Sequence, residues 1–178
     1  YVAEDVSGNQ VNAEFTVTVE DNQAPQFQGS ISNAILDTDA GECGAVHSWV
    51  APEVSENCAC LQVTTTHDPG SFFTPGLNIV TYTASDAAGN TTSLMFTVVV
   101  QDNENPVIAG TPESMDLGTD LDSCGRVVNW QQPSASDNCA ILSYSSTHNS
   151  GDFFPVGTTT VIFTATDTVG HSTSTQFE

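Results

Sequence analysis

Hydrophobic residues along this chain come in short alternating runs rather than at helical spacing. In Leu77–Ala84, the residues Leu77, Ile79, Thr81 and Thr83 alternate with Asn78, Val80, Tyr82 and Ala84, the period of a strand with one buried face. The aromatic side chain selects the inward face, so Val80, Tyr82 and Ala84 are expected in the core. Ala45–Val50, Leu61–Thr66 and Thr92–Val100 read as further strands. Short strands parted by turn signals are the pattern of a β-sandwich. Between the last two strands, Asp86-Ala87-Ala88-Gly89-Asn90 predicts a tight hairpin loop. Glycine there supplies positive φ, while Asp and Asn bond their own backbone.

The pattern recurs with a period of 81 residues, the offset from Asp21 to Asp102. Asp21-Asn22-Gln23-Ala24-Pro25 returns as Asp102-Asn103-Glu104-Asn105-Pro106. Cys43, Trp49, Pro52, Asn57 and Cys58 return as Cys124, Trp130, Pro133, Asn138 and Cys139. Thr66-His67 matches Thr147-His148, Phe72-Phe73 matches Phe153-Phe154, and Asp86…Gly89 matches Asp167…Gly170. A partial copy lies at the start, where Tyr1, Ala3, Asp5, Gly8-Asn9 and Phe15 precede Tyr82, Ala84, Asp86, Gly89-Asn90 and Phe96 by the same offset. Such self-similarity is the signature of a repeat array. The expected domains are a C-terminal hairpin of a preceding repeat at 1–20, a complete repeat at 21–101 and a nearly complete one at 102–178.

The ordered motif Cys…Trp…Pro…Asp/Glu-Asn-Cys, then Phe-Phe…Gly, then Tyr/Phe-Thr-Ala-Ser/Thr-Asp…Gly resembles the hyalin repeat, or HYR domain. The resemblance covers nearly the whole chain. It implies tandem immunoglobulin-like or fibronectin-III-like β-sandwich repeats used in extracellular adhesion and matrix proteins, with no catalytic activity. Members often carry two further cysteines, near Gly110 and Leu94, which are absent here. That leaves Cys43 to pair with Cys58 and Cys124 with Cys139. A strand of about seven residues at ~3.3 Å each would hold such ends too far apart for a disulfide, so the expectation requires Pro52–Asn57 to fold the chain back. Cys60, standing where the next repeat has Ile141, is expected to be a small buried hydrophobe, with intermolecular pairing as the alternative.

Charge sharpens this picture. The 178 residues carry 22 acidic side chains against one basic residue, Arg126, for a formal charge of -21. Such a surface repels nucleic acid and anionic membranes, and its self-repulsion opposes compaction unless cations neutralise clustered carboxylates. No apolar run approaches the roughly 20 residues that span a bilayer. The sequence opens at Tyr1 with neither an initiator methionine nor a signal-peptide pattern, so a processed or cropped piece is expected.

In an immunoglobulin-like sandwich, the N-terminal linker, the B–C loop and the F–G loop gather at one end. In the complete repeat these supply Asp21, Asn22, Glu53, Glu56, Asn57, Asp86 and Asn90. In the next they supply Asp102, Asn103, Glu104, Asp137, Asn138 and Asp167. Calcium takes six to eight oxygen ligands of these kinds, so Ca2+ is the expected cofactor. The linker also resembles the Asp-x-Asn-Asp-x-x-Pro junctions of cadherins. The preceding repeat's acidic turn, Asp37–Glu42 or Asp116…Asp122, is where further ligands are expected. Asp-Asn and Asp…Gly-Asn also form turns without any metal. The third copy's F–G loop is expected to be poorer, because His171 replaces Asn90 and removes a hard oxygen.

Other chemistry is weaker. Cys58-x-Cys60 with His67 has zinc-ligand residue types, but His148 recurs without the second thiol, which points to a structural histidine. Nothing indicates the oriented base that a nucleophilic cysteine needs. Trp49 and Trp130 read as core residues rather than sugar platforms. Phe72-Phe73 and Phe153-Phe154 are strand neighbours facing opposite sides, so one of each pair is either exposed for lateral contact or covered by its own loop. Asn90-Thr91-Thr92 fits a glycosylation sequon. The strands missing from the initial hairpin belong to a preceding repeat or come from a neighbouring subunit. The expected partners are other copies or adjacent repeats in a filament, with a possible cell-surface or matrix partner. The competing class is a glycan- or protein-binding surface module.

Overall fold

A computed structural model describes every residue from Tyr1 to Glu178 except Ala59. Among the described residues there are strands and no helices. In chain order the strands are β1 (Val2–Glu4), β2 (Gln10–Asn12), β3 (Gln26–Gln28), β4 (Ala34–Asp37), β5 (Ala45–His47), β6 (Glu53–Ser55), β7 (Gln62–Thr65), β8 (Ser71–Phe73), β9 (Gly76–Ser85), β10 (Thr91–Gln101), β11 (Val107–Ala109), β12 (Gly125–Val127), β13 (Ser134–Ser136), β14 (Ile141–Ser146), β15 (Phe153–Pro155), β16 (Val161–Asp167) and β17 (Ser172–Phe177).

The chain divides into two compact units. One comprises Tyr1–Ser30, Pro52–Thr65 and Tyr82–Leu94; the other comprises Ile31–Ala51, Thr66–Thr81 and Met95–Glu178. In the first unit, β1 pairs antiparallel with β2, β3 with β6, and β7 with β9. Tyr82 packs edge-on against Phe27 with ring centroids 6.4 Å apart.

The second unit contains a whole repeat, built from β11 to β17. One layer consists of the antiparallel pairs β11·β13 and β12·β15; the other is the sheet β14-β16-β17. Inward alternation along β16 buries Val161, Phe163 and Ala165. Val161, Phe163 and Phe177 form the centre, with Ile108, Met115, Trp130, Tyr144 and Phe154 packed around it. The outward face of the β16·β17 hairpin carries hydroxyl pairs, Thr164 with Ser174 at 2.9 Å and Thr166 with Ser172 at 2.8 Å. Apolar residues inward and hydroxyls outward are what an antiparallel sheet with one solvated face requires. The same unit also pairs β4 in parallel with the end of β10, Ala34 opposite Val98 through Asp37 opposite Gln101.

Val80, Tyr82 and Ala84 are buried as the alternation predicts. Trp49 and Trp130 are core-packed. Trp130 lies 6.0 Å from Phe154 and 5.2 Å from Phe177, and Trp49 lies 6.1 Å from Phe73 and 5.1 Å from Phe96. The histidines are structural in both copies. His67 packs on Phe73 and His148 on Phe154, with ring centroids 4.9 and 5.2 Å apart. The threonine before each histidine accepts a ladder hydrogen bond through Oγ1, from Thr81 N in one copy and Ile162 N in the other.

Of the paired phenylalanines, Phe73 is buried while Phe72 and Phe153 are 47% and 55% exposed. Both half-exposed rings rest on a glycine. A side chain at Gly44 would run into Phe72, and one at Gly125 into Phe153.

Candidate cation cluster and junction

The hairpin loop that opens with an aspartate has one geometry in all three copies. Asp5 Oδ1 accepts the N–H groups of Ser7 and Asn9, and Asp5 Oδ2 accepts the Asn9 amide at 2.7 Å. In the next copy, Asp86 Oδ1 accepts Asn90 N and Asp86 Oδ2 accepts the Asn90 amide, both at 2.8 Å. In the last, Asp167 Oδ1 accepts the N–H groups of Val169, Gly170 and His171, and its Oδ2 meets His171 Nδ1 at 3.0 Å. Turn formation is therefore intrinsic to the motif, and glycine at positive φ (Gly8, Gly89, Gly170) closes it.

The later two copies add neighbours. Asp21, Glu56 and Asp86 place one carboxylate oxygen each within 4.8 Å of one another, and so do Asp102, Asp137 and Asp167. Both sets draw on the linker, the loop after the second half-strand, and the hairpin loop. Asn90 Nδ2 and His171 Nδ1 each meet Oδ2 of the hairpin aspartate in the same way.

Three carboxylates this close repel one another unless protonated or neutralised. Protonation is not the resolution at Asp167. Burial alone would raise its carboxyl, but the N–H groups of His171, Gly170 and Val169, together with the His171 ring, outweigh that and hold it below the usual 3.8. Asp21 is also held below 3.8, first by the N–H of Gln23, then by the Cys58 thiol and the Asn57 amide. Several oxygens of these clusters are buried and have no hydrogen-bond partner, namely Glu56 Oε2, Asp102 Oδ2 and Asp137 Oδ1, as is Asn138 Oδ1 next in sequence to Asp137. Asp102 is only 6% exposed. Buried acceptors of this kind are normally satisfied, and a hard cation among hard oxygens is the group that fits this donor set.

Other residues expected as ligands are placed otherwise. Asn90 turns its amide N–H groups to Asp86 and to the carbonyl of Asp21, 3.1 Å away, so it orients the Asp86 carboxylate and the linker. Asn57 donates its amide to Asp21 Oδ1 at 3.3 Å. Asn22 is exposed. Asn103 donates to Asp37 Oδ1, and Glu104 Oε1 accepts the N–H of Gly41 at 3.0 Å. Asn138 donates to Thr38 Oγ1 and to the Glu42 carbonyl. The acidic turn thus meets the following linker and loop through hydrogen bonds. Asp39 within it is a turn-former, accepting Val46 N through Oδ2 at 2.9 Å.

The disulfide arrangement differs from the expectation. Cys43 is bonded to Cys139, 96 residues away, with Cα atoms 4.5 Å apart, while Cys58, Cys60 and Cys124 are exposed thiols. Pairing within a repeat needed the chain to turn back after the first half-strand. It does not: no turn lies between β5 and β6 or between β12 and β13, and Glu53–Ser55 is itself a strand. The expectation that Cys60 is buried is likewise overturned. It is exposed, with φ of 80°.

These features define a class: an all-β repeat protein whose sandwich units carry acidic clusters built from linker and loops. Its sequence matches the HYR domain at residues 20–100 and again at 101–178, and the chain belongs to that family. Over 98% of its length it is 34% identical to hyalin of Strongylocentrotus purpuratus and 35% identical to hyalin of Lytechinus variegatus. It spans 15% and 34% of those two proteins. A rat sushi, von Willebrand factor type A, EGF and pentraxin domain-containing protein 1 is 33% identical over 88% of the chain, which covers 4% of that protein. Mouse cadherin-23 EC22–24 aligns with 88% of the chain and 66% of its own length at 14% identity, with a TM-score of 0.38. Among the described residues, no helix is long and apolar enough to cross a membrane.

Proposed function

We propose that this chain is a section of an extracellular structural array in which Ca2+ and disulfides stiffen successive HYR repeats into a filament or adhesive stalk. On this reading, 21–101 and 102–178 are repeats and 1–20 is the closing hairpin of another. The carrying observation is the set Asp102, Asp137 and Asp167, with buried, unpartnered oxygens on Asp102 and Asp137. These three would hold the ion; Asp21, Glu56 and Asp86 would hold a second. Their neighbours Asn103, Glu104 and Asn138 bond the turn of the preceding repeat, so an ion here would fix the linker where one repeat hands over to the next. Membership of a family shared with the hyalins supports the extracellular setting and a role without catalysis.

Thermal unfolding of the whole chain in calcium, magnesium and chelator tests this reading. A site of about 0.1 mM affinity in ~10 mM calcium contributes roughly 2.7 kcal/mol to the folded state. A rise in Tm with calcium alone is expected; coincident melts in all three would refute the clamp. The second reading, a protein-binding face, draws on the half-exposed Phe72 and Phe153. It predicts that replacing both with serine weakens lateral association and leaves the calcium response intact.

A further inference from the structure

Two of the three segments that build the second acidic cluster are tied to one turn. Asp102 and Asp137 each put a carboxylate oxygen beside Asp167, and each is followed in sequence by residues that bond the acidic turn Asp37–Cys43. After Asp102, Asn103 donates its amide to Asp37 Oδ1, and Glu104 Oε1 accepts the N–H of Gly41. After Asp137, Asn138 donates to Thr38 Oγ1 and to the Glu42 carbonyl, and Cys139 is bonded to Cys43. The same residues reach back to the carboxylates. Cys139 N donates to Asp137 Oδ2 at 3.0 Å, and Glu104 N to Asp102 Oδ1 at 3.2 Å. Asp167 has no such tie; its own hairpin loop holds it through three N–H groups.

The turn therefore bridges linker and loop, and the Cys43–Cys139 bond is its covalent attachment to the loop. Its other contacts are side-chain hydrogen bonds largely open to water, each weak alone. Without a cation the three carboxylates repel one another, and that force falls on the two segments the turn ties together. Even so, Asp102 is only 6% exposed, and Asp102 Oδ2 and Asp137 Oδ1 are buried without hydrogen-bond partners.

We propose that the Cys43–Cys139 bond is a redox control on calcium affinity. Closed, it holds Asp137 and, through the turn, Asp102 preorganised against Asp167; opened, it lets the loop draw back and weakens the site. This rests on the reading of Asp102, Asp137 and Asp167 as a calcium site. Preorganisation raises affinity because the ordering is already done before the ligand arrives. Coupling of this kind is reciprocal: by whatever factor the bond tightens calcium, calcium favours the bond over the two thiols by the same factor. The expected factor is about tenfold, within the usual range for coupled sites. Both cysteines are half-buried, within reach of a small reductant. Reduction by a dithiol breaks the S–S bond and leaves two protein thiols, while the dithiol loses two electrons and two protons and closes into its own cyclic disulfide.

The test places the whole chain in buffers of reduced and oxidised dithiothreitol, with calcium or with chelator. Differential alkylation and peptide mass spectrometry read the bonded fraction of Cys43–Cys139. Saturating calcium should shift the equilibrium about tenfold toward the bonded form. Asp102→Asn, which leaves both cysteines in place, should move that shift to about tenfold higher calcium. Calorimetric titration reads the other side of the coupling. In Cys43→Ser/Cys139→Ser with unchanged circular dichroism, one calcium affinity should fall about tenfold, while that of the Asp21, Glu56 and Asp86 site, which this bond does not join, holds. If the double variant loses its fold, the dithiothreitol equilibrium of the native chain decides alone. An equal bonded fraction in calcium and chelator, with calcium still binding the oxidised chain, would overturn the coupling and leave the calcium site standing. Absence of calcium binding to the oxidised chain would remove both. A shift that appears at unchanged calcium in Asp102→Asn would overturn the coupling as well, because the ion would then act from elsewhere.

Discussion

At the scale of single residues, the hairpin aspartates shape a turn and, where neighbours allow, contribute charge to a cluster. Asp5 isolates the first role. Its carboxyl is held below 3.8, first by the Asn9 side-chain amide and then by the Asn9 N–H, against an opposing effect of burial, with the Ser7 and Gly8 N–H groups adding to the lowering. A depressed folded-state pKa gives a contribution that is complete above the unfolded value and lost as pH falls through the folded one. The Ser7 and Asn9 amide NMR signals should therefore hold steady down to about pH 4 and move below it. Asp102 probes the second role. In calcium, Asp102→Asn should weaken binding about tenfold or more, because affinity follows the number of charged ligands. In chelator the same change should raise Tm, because it removes one of three repelling charges. Opposite signs in the two buffers are the expected result, and loss of stability in both would mean Asp102 is only a packing residue.

Strands divide their labour by face. Phe163 on β16 is fully buried and stacks at 6.3 Å on Tyr144 and 6.2 Å on Phe177. Phe163→Ala should cost about 3–5 kcal/mol, the usual result of emptying an aromatic core position. Phe153, on β15 and half-exposed over Gly125, should cost about 1 kcal/mol when changed to alanine. Urea unfolding of both variants checks the contrast; equal losses would show that the ring over Gly125 belongs to the core. The close ring contact also gives the Cys-Gly dipeptide its reason. At Gly44 and Gly125 any side chain meets the phenylalanine ring and the backbone carbonyl of the facing strand.

For the molecule as a whole, the Cys43–Cys139 bond closes a loop of 96 residues. Constraint of the unfolded chain over that distance typically stabilises by about 2–4 kcal/mol. Replacing both cysteines by serine should lower the urea midpoint accordingly. It should also let the two repeats unfold in separate steps, since repeat arrays are held by local units plus neighbour interfaces. A single unchanged transition would show that the bond contributes nothing to coupling.

The sequence by itself determined the 81-residue period, the all-β class, the inward set Val80, Tyr82 and Ala84, the core tryptophans and the turn-forming aspartates. Each depends on short-range rules: alternation selects a face, and Asp with Gly selects a turn. The loops it named bring together Asp21, Glu56 and Asp86 in one cluster and Asp102, Asp137 and Asp167 in the other. Tertiary structure decided which amides merely orient those carboxylates, because a side-chain amide offers donor and acceptor alike and only its neighbours choose between them. It also decided the cysteine pairing. Four equivalently spaced cysteines admit three connectivities, and the choice depended on whether the chain turned back between half-strands. It ran straight on, and Cys43 met Cys139, 96 residues away, rather than Cys58 within its own repeat.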